Sequence, residues 1–230
     1  LKLMKYIVFG LGSYGSSLAT KLVDLGHEVF GVDSQQDRTE KNKNKITYAV
    51  TLDATNRDAI LDLPLKEADA IIIAIGENEG TIILLAALLK QIGVNRIICR
   101  VTSTLQKTVL ETMGLTEFVY PEQNSAERMA HKLSFTGVVD SYRVCEQYQV
   151  IEVHVPGRLV GSKINEIDFA DASLVLVTVK RKIEEKNLLG ALREKMQTLG
   201  IITDTLQLKP EDRLVLFGEP KKIRAFVEYS

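Results

Sequence analysis

The sequence is short of cysteine, shows no excess of charge of either sign and has no long apolar run. Its two cysteines, Cys99 and Cys145, stand far apart and outside any C-x-x-C pair. That excludes a disulfide framework and a zinc site of paired cysteines, and it fits a reducing compartment. Lys plus Arg number 29 against 30 Asp plus Glu, a net charge of −1. Such a balance gives no basic footprint for nucleic acid and no polybasic anchor for a membrane surface. The longest apolar run, 82–89, falls well short of the roughly 18 residues a membrane-spanning helix needs. Leu1-Lys2-Leu3-Met4 leads straight into a strand-like stretch, so neither a signal peptide nor direct membrane insertion is expected.

Signatures of catalysis are missing as well. No G-x-x-x-x-G-K-[ST] is present to supply a phosphoryl-transfer lysine, and no G-x-S-x-G elbow to supply a nucleophile. A nicotinamide dehydrogenase needs an acid or base beside the hydride path. Yet there is no Tyr-x-x-x-Lys, and His27, His131 and His154 are isolated from one another. A DNA-binding repressor would need a helix-turn-helix and a basic face, and neither is found. What remains is a chain of 230 residues, 45% hydrophobic and 26% charged. Those values describe a globular protein long enough for two unequal domains.

The first half alternates β-branched runs with helix-period stretches. Strands are predicted at 6–9, 28–32, 48–52, 70–75, 96–101 and 117–120. Helices are predicted at 14–25, 35–45, 55–63, 80–93, 103–113 and 122–135. The run at 70–75 has no polar break, as a central parallel strand buried on both faces requires. The helix at 80–93 is apolar nearly all round, which calls for deep cover or a second subunit. This order predicts an α/β fold, a Rossmann-type doubly wound parallel sheet. After Gly137 the pattern changes. Residues 149–155 alternate, with Val150, Glu152 and His154 on a wet face. Further strands are expected at 174–179, 205–208 and 214–217. Helices are expected at 184–199, with Leu188, Leu192 and Met196 on one side, and at 220–229. The second domain is therefore a smaller α+β unit, with domains at 1–138 and 139–230.

The most informative motif is Gly10-Leu11-Gly12-Ser13-Tyr14-Gly15. This G-x-G-x-x-G follows a predicted strand and opens a predicted helix, the context a dinucleotide fingerprint requires. Gly10 permits the tight turn, Gly12 lets a pyrophosphate approach the backbone, and Gly15 lets helix and strand pack closely. Backbone N–H groups and the helix dipole then favour phosphate. Asp33 ends the second strand, 18 residues past Gly15, where a carboxylate can accept from ribose hydroxyls and repel a 2′-phosphate. Two further strand ends face the same crevice, Asp53-Ala54-Thr55 and Ala74-Ile75-Gly76. Asp53 can accept from an adenine amino group or cap the next helix. Ala74 and Gly76 suit a ribose over bare backbone or close helix packing. Arg100 can meet a phosphate or pair with a carboxylate.

The run from Tyr6 to Gly15, Gly26-His27-Glu28-Val29, Val32-Asp33, Leu52-Asp53-Ala54-Thr55, Ile73-Ala74-Ile75-Gly76 and Tyr120-Pro121-Glu122 resembles the RCK domains of the Trk/Ktr potassium-uptake regulators. Residues 153–161 and 210–215 resemble the C-terminal RCK module, so the likeness covers nearly the whole chain. The resemblance implies a non-enzymatic cytoplasmic regulatory subunit, peripheral to the inner face of the cell membrane through a membrane potassium-transporter subunit. It implies a homodimer or an octameric ring, gated by an adenine nucleotide, NAD/NADH or ADP/ATP. By position it assigns cofactor binding to Gly10, Gly12, Ser13, Tyr14, Gly15, Asp33, Asp53, Thr55, Ala74, Gly76 and Arg100, flanked by Ser34, Ala54 and Ile75. Glu122 matches a glutamate that holds a divalent cation between subunits in some members. ATP-responsive members carry an arginine in place of Ser13 that reaches the terminal phosphate, so its absence moves the expectation toward NAD(H) or ADP. The family's C-terminal module has a short hairpin where 184–199 reads as an extended helix, and in some members that module binds a cyclic dinucleotide.

Overall fold

Six times in the first half of the chain an apolar strand gives way to a helix, and in the computed structural model each pair folds as a β–α unit. The structure describes residues 2–134, 137–186 and 192–228. The strands are β1 (Lys5–Phe9), β2 (Glu28–Asp33), β3 (Tyr48–Thr51), β4 (Ala70–Ile73), β5 (Ile97–Arg100) and β6 (Glu117–Val119). The helices between and after them are α1 (Ser13–Asp24), α2 (Gln36–Asn42), α3 (Arg57–Leu61), α4 (Glu79–Ile92), α5 (Thr104–Thr112) and α6 (Pro121–Ser134). Phe135, expected at the end of α6, lies outside the described residues. The chain divides into two compact units, Leu1–Glu122 and Gln123–Ser230. That division falls in the first turn of α6, whereas residue 138 opens β7.

In the first unit all six strands pair in parallel, in the order β3-β2-β1-β4-β5-β6. Successive side chains of a strand point to opposite faces, and two cores result. Ile7, Phe9, Ile71 and Ile73 pack with Ile82, Leu85 and Leu89 of α4. Val8 and Ile72 join Ala19 of α1 on the other side. Every residue of β4 is buried, because helices cover both faces of the sheet. Truncating such a residue, Phe9→Ala for instance, costs roughly 3–5 kcal/mol. Most of the apolar girth of α4 is used within its own unit, where Ile82, Leu85, Ala86 and Leu89 are fully buried, but Leu84 stays 62% exposed. The helix starts on the Asn78 side chain, which accepts from the Thr81 N–H at 3.1 Å, and stops at Gly93 with φ 84°. These caps fix where α4 begins relative to the end of β4.

The second unit contains an antiparallel sheet in the order β10-β9-β11-β8-β7. Its strands are β7 (Val138–Arg143), β8 (Gln149–His154), β9 (Val175–Lys186), β10 (Leu192–Thr198) and β11 (Arg213–Gly218), and α7 (Pro220–Glu228) closes it. Ile151, Val153, Val179, Leu214 and Leu216 form the core with Ile223 and Phe226 of α7. The fold class is thus α/β with a second, mainly antiparallel sheet.

Several sequence expectations for this unit are corrected. No helix forms over the described part of 184–199. That stretch belongs to a hairpin of β9 and β10 held by cross-strand pairs, Lys182 with Glu194 at 2.7 Å and Lys195 with Glu185 at 3.2 Å. Leu188 lies outside the described residues, as does Tyr229 at the end of the last helix. Residues 205–208 form no strand of their own; Gln207 bridges Lys163, with backbone bonds from the Ile164 N–H to Leu206 and from the Leu208 N–H to Ser162. The face expected to be wet is exposed at His154 and half-buried at Val150, but Glu152 is only 8% exposed. Lys180 covers it from β9, and Arg213 Nη1 reaches it at 2.9 Å. Burial works against the Glu152 carboxylate, but these two cations outweigh it and hold the group below its ordinary value. Asp212, also buried, takes a forked pair of bonds from Arg181 at 2.8 and 2.6 Å.

Candidate functional site

Strand order places the site. The connection leaving β1 runs through α1 to β2 on one side, while β4 lies on the other side of β1. The loops following β1 and β4 therefore diverge and leave a crevice beyond the carboxyl ends of the strands, at the topological switch point. The crevice has a volume of about 570 Å³.

Its floor is the glycine turn. Gly10 has φ +94°, and a Cβ there would lie 2.8 Å from the Ile75 backbone nitrogen. No other residue fits that turn without moving β4. Gly15 faces away from the crevice. A Cβ on it would meet the Gly10 carbonyl oxygen at 1.8 Å, so its lack of a side chain lets α1 lie against β1. Gly12 differs from both, since a Cβ there would find only Arg38 Nη1, at 4.0 Å. Nothing in the fold requires glycine at 12; the bare backbone leaves space above the turn. Gly12 is also the N-cap of α1, with no side-chain cap bond and no acidic residue in the first turn. The N–H groups of that turn, including those of Ser13 and Tyr14, are thus free of a competing carboxylate and suited to an anion.

Asp33 is 6% exposed. Its Oδ2 accepts from the Leu11 N–H at 2.7 Å and its Oδ1 from the Gln35 N–H at 2.9 Å. The carboxylate therefore clamps the glycine turn as well as lining the crevice with Ser34. At the end of β3, Asp53 accepts from the Thr55 N–H and hydroxyl, both at 2.8 Å. Those bonds, the backbone one foremost, hold its carboxyl below the ordinary value. The helix-cap alternative for Asp53 is overturned: Asn56 caps α3, accepting from the Ala59 N–H. Asp53, Ala54 and Thr55 line the crevice, as do Ala74, Ile75 and Gly76 beyond β4.

At the far end Arg100 closes β5. Its Nη1 donates to the Ala74 carbonyl at 3.3 Å and its Nη2 to Glu122, while its buried Nε has no partner among the described residues. Both readings of Arg100 are thus on the page, since it lines the crevice and pairs with a carboxylate. Gly76 leaves room for that guanidinium, which would lie 2.5 Å from a Cβ. Tyr14 shares this corner, and burial raises its phenol above the ordinary value.

Thirteen of the fourteen sequence-predicted site residues line the crevice, with Gly15 packed behind it. Five polar lining residues were missed: Gln35, Arg38, Glu77, Asn78 and Thr81. Arg38 lies in a stretch that reads from sequence as a solvated helix, and no local pattern announces that it reaches the crevice. The described lining includes no histidine, cysteine or lysine. Among the described residues no three His, Cys, Asp or Glu side chains gather as metal ligands. No helix among them is long and apolar enough to cross a membrane. The arrangement can hold a phosphate-bearing ligand over the turn and a sugar against Asp33.

The TrkA-N domain family model matches residues 6–121. The chain is 30% identical over 178 residues to Ktr system potassium uptake protein C of Bacillus subtilis, covering 77% of this chain and 80% of that protein. Among solved structures, the GsuK RCK domain matches 100% of this chain with a TM-score of 0.64 at 16% identity. The GsuK channel bound to NAD matches 99% with a TM-score of 0.62 at 18% identity. The chain spans 48% and 39% of those two longer chains, and at these identities they establish the shared fold. By its family match and by its likeness to the Ktr protein, the chain belongs to the TrkA-N family and is a relative of the Ktr potassium uptake proteins, with the fold of an RCK domain.

Proposed function

We propose that this chain is the nucleotide-sensing subunit of a membrane potassium-uptake system. In this reading an adenine nucleotide, NAD(H) or ADP/ATP, lies along the crevice. Its phosphates meet the N–H groups of residues 12–15, its ribose meets Asp33, and its base reaches toward Asp53. Residues 1–138 carry the nucleotide and 139–230 serve regulation. The observation that carries the reading is the space above Gly12, where the fold needs no glycine and a phosphate does. The relatives support the rest: a Ktr potassium uptake protein by sequence and a channel bound to NAD by fold.

A nucleotide can act on a transporter only by binding two shapes of the sensor unequally. A homodimer or octameric ring on the cytoplasmic side of the membrane subunit is the assembly we assign to it. Exposed apolar side chains on α6, Met129 at 54% and Leu133 at 78%, support a partner surface there.

The reading is tested by co-expressing the chain with a Ktr-type membrane subunit in cells lacking their own potassium uptake. Growth at low potassium that depends on the chain, and falls with Gly12→Ala at equal expression, is the expected result. Growth indifferent to both would overturn it.

A further inference from the structure

The mouth of the crevice is crossed by an ion pair that joins its two walls. Arg38 rises from α2, and its Nη2 donates to Glu77 Oε1, in the loop after β4, at 3.0 Å. Its Nη1 lies 3.6 Å from Asp33 Oδ2 and 4.0 Å from the point a Cβ on Gly12 would occupy. The guanidinium thus hangs over the bare backbone that the phosphates of a nucleotide would approach. Its two carboxylate neighbours differ. Asp33 is 4% exposed at its side chain and already accepts from two backbone N–H groups, so it belongs to the fold. Glu77 is 75% exposed, and among the described residues its ion pair is with Arg38.

The geometry points to Arg38 as a ligand-phosphate residue that sets nucleotide specificity, with Glu77 as the internal anion a ligand phosphate displaces. This rests on the nucleotide reading above and deepens it. An exposed carboxylate holds a guanidinium weakly, because water screens the pair and Glu77 loses side-chain freedom in making it. A phosphate brings more charge and more acceptor oxygens, and the planar fork of arginine engages it through two parallel bonds. Exchange of partners therefore favours the phosphate, and it also frees the β4–α4 loop from α2. Arg38 stands between Gly12 and Asp33, on the adenosine side of the turn. The phosphate it meets is either the 5′-diphosphate over Gly12 or a 2′-phosphate beside Asp33. The charge of Asp33 alone argues against the second, whereas Arg38 offsets that charge.

The test measures binding of ADP, adenosine, NAD⁺ and NADP⁺ by calorimetry to the full chain and to Arg38→Gln, Glu77→Gln and the double variant. Unfolding midpoints are recorded for each. Loss of one charge-assisted bond corresponds to about tenfold or more in affinity. Arg38→Gln is expected to weaken ADP by that factor and adenosine by less than about twofold. Glu77→Gln is expected to tighten ADP, and the double-mutant cycle to abolish that gain when Arg38 is absent. A loss concentrated on NADP⁺ relative to NAD⁺ would equally support the assignment and would place the phosphate at the 2′ position. Wild-type affinity for all four ligands in Arg38→Gln, a loss for ADP matched by an equal loss for adenosine, or a Glu77→Gln gain that survives without Arg38 would overturn it. A wild-type chain that binds none of the four would instead overturn the nucleotide reading itself, and this inference with it.

Discussion

The Asp33 carboxylate accepts a hydrogen bond from the Leu11 backbone N–H at 2.7 Å. The residue placed to meet a ribose is therefore also the clamp on the glycine turn, so the end of β2 and the floor of the crevice move together. A second bond, from the Gln35 N–H at 2.9 Å, holds the start of α2 to the same group.

Asp33→Ala leaves two backbone donors without an acceptor, one of them buried. A loss of about 1–3 kcal/mol in unfolding free energy is expected, along with loss of nucleotide affinity. Asp33→Asn is expected to fall between wild type and Asp33→Ala, because its single amide oxygen replaces only one of the two acceptors. Chemical denaturation of the three proteins checks the order.

Alanine at two glycines separates folding from binding. Gly15→Ala drives a methyl group to 1.8 Å from the Gly10 carbonyl oxygen, which only a shift of α1 or the turn relieves. A cost of about 1–3 kcal/mol or more is expected. Gly12→Ala has open space and a φ of −65° that alanine accepts. Its unfolding midpoint is expected to match wild type. Thermal unfolding of both variants tests the contrast.

The pair of cations on Glu152 makes the second unit acid-sensitive. Its folded value lies below the ordinary 4.5, so the stability it contributes is complete above that pH and is lost as pH falls through the folded value. Glu152→Gln is expected to cost about 1–3 kcal/mol at neutral pH. The difference from wild type should shrink below pH 4.5. Hydrogen exchange of the β8 and β11 amides from pH 6 to pH 3 measures it.

The two thiols are expected to differ in reactivity. Cys99 is fully buried in β5, and burial pushes its thiol up to about 12, so almost no thiolate forms at neutral pH. Cys145 is exposed. Titration with a chromogenic disulfide reagent should register one thiol in the native protein and two after unfolding.

Much of this site is written locally in the sequence. Strand, G-x-G-x-x-G and helix lie within one β–α unit, and Asp33 ends the next strand, so the motif needs no long-range information. Ala74 and Gly76 follow because β4 reads as a buried strand. Arg38 and Glu77 were invisible because their pairing joins residues 39 apart, across a crevice that exists only once the strand order is fixed. The hairpin of β9 and β10 was misread for another reason. Leu192 and Met196 are four apart, a spacing that marks one face of a helix and, being even, one face of a strand as well. Here the antiparallel pairing with β9 makes this stretch a strand, and Lys182–Glu194 and Lys195–Glu185 lie across that pairing. Glu152 reads as a wet position in sequence because nothing local signals that Lys180 and Arg213 will cover it.

The measurement that bears most directly on the account is calorimetric titration of NAD⁺, NADH, ADP and ATP into the full chain and its Gly12→Ala variant. We expect at least one of the four to bind the wild type at one per chain, and to bind the variant at least about tenfold more weakly at an unchanged unfolding midpoint. A wild-type chain that binds none of them, or a variant that binds as well as wild type, would contradict it.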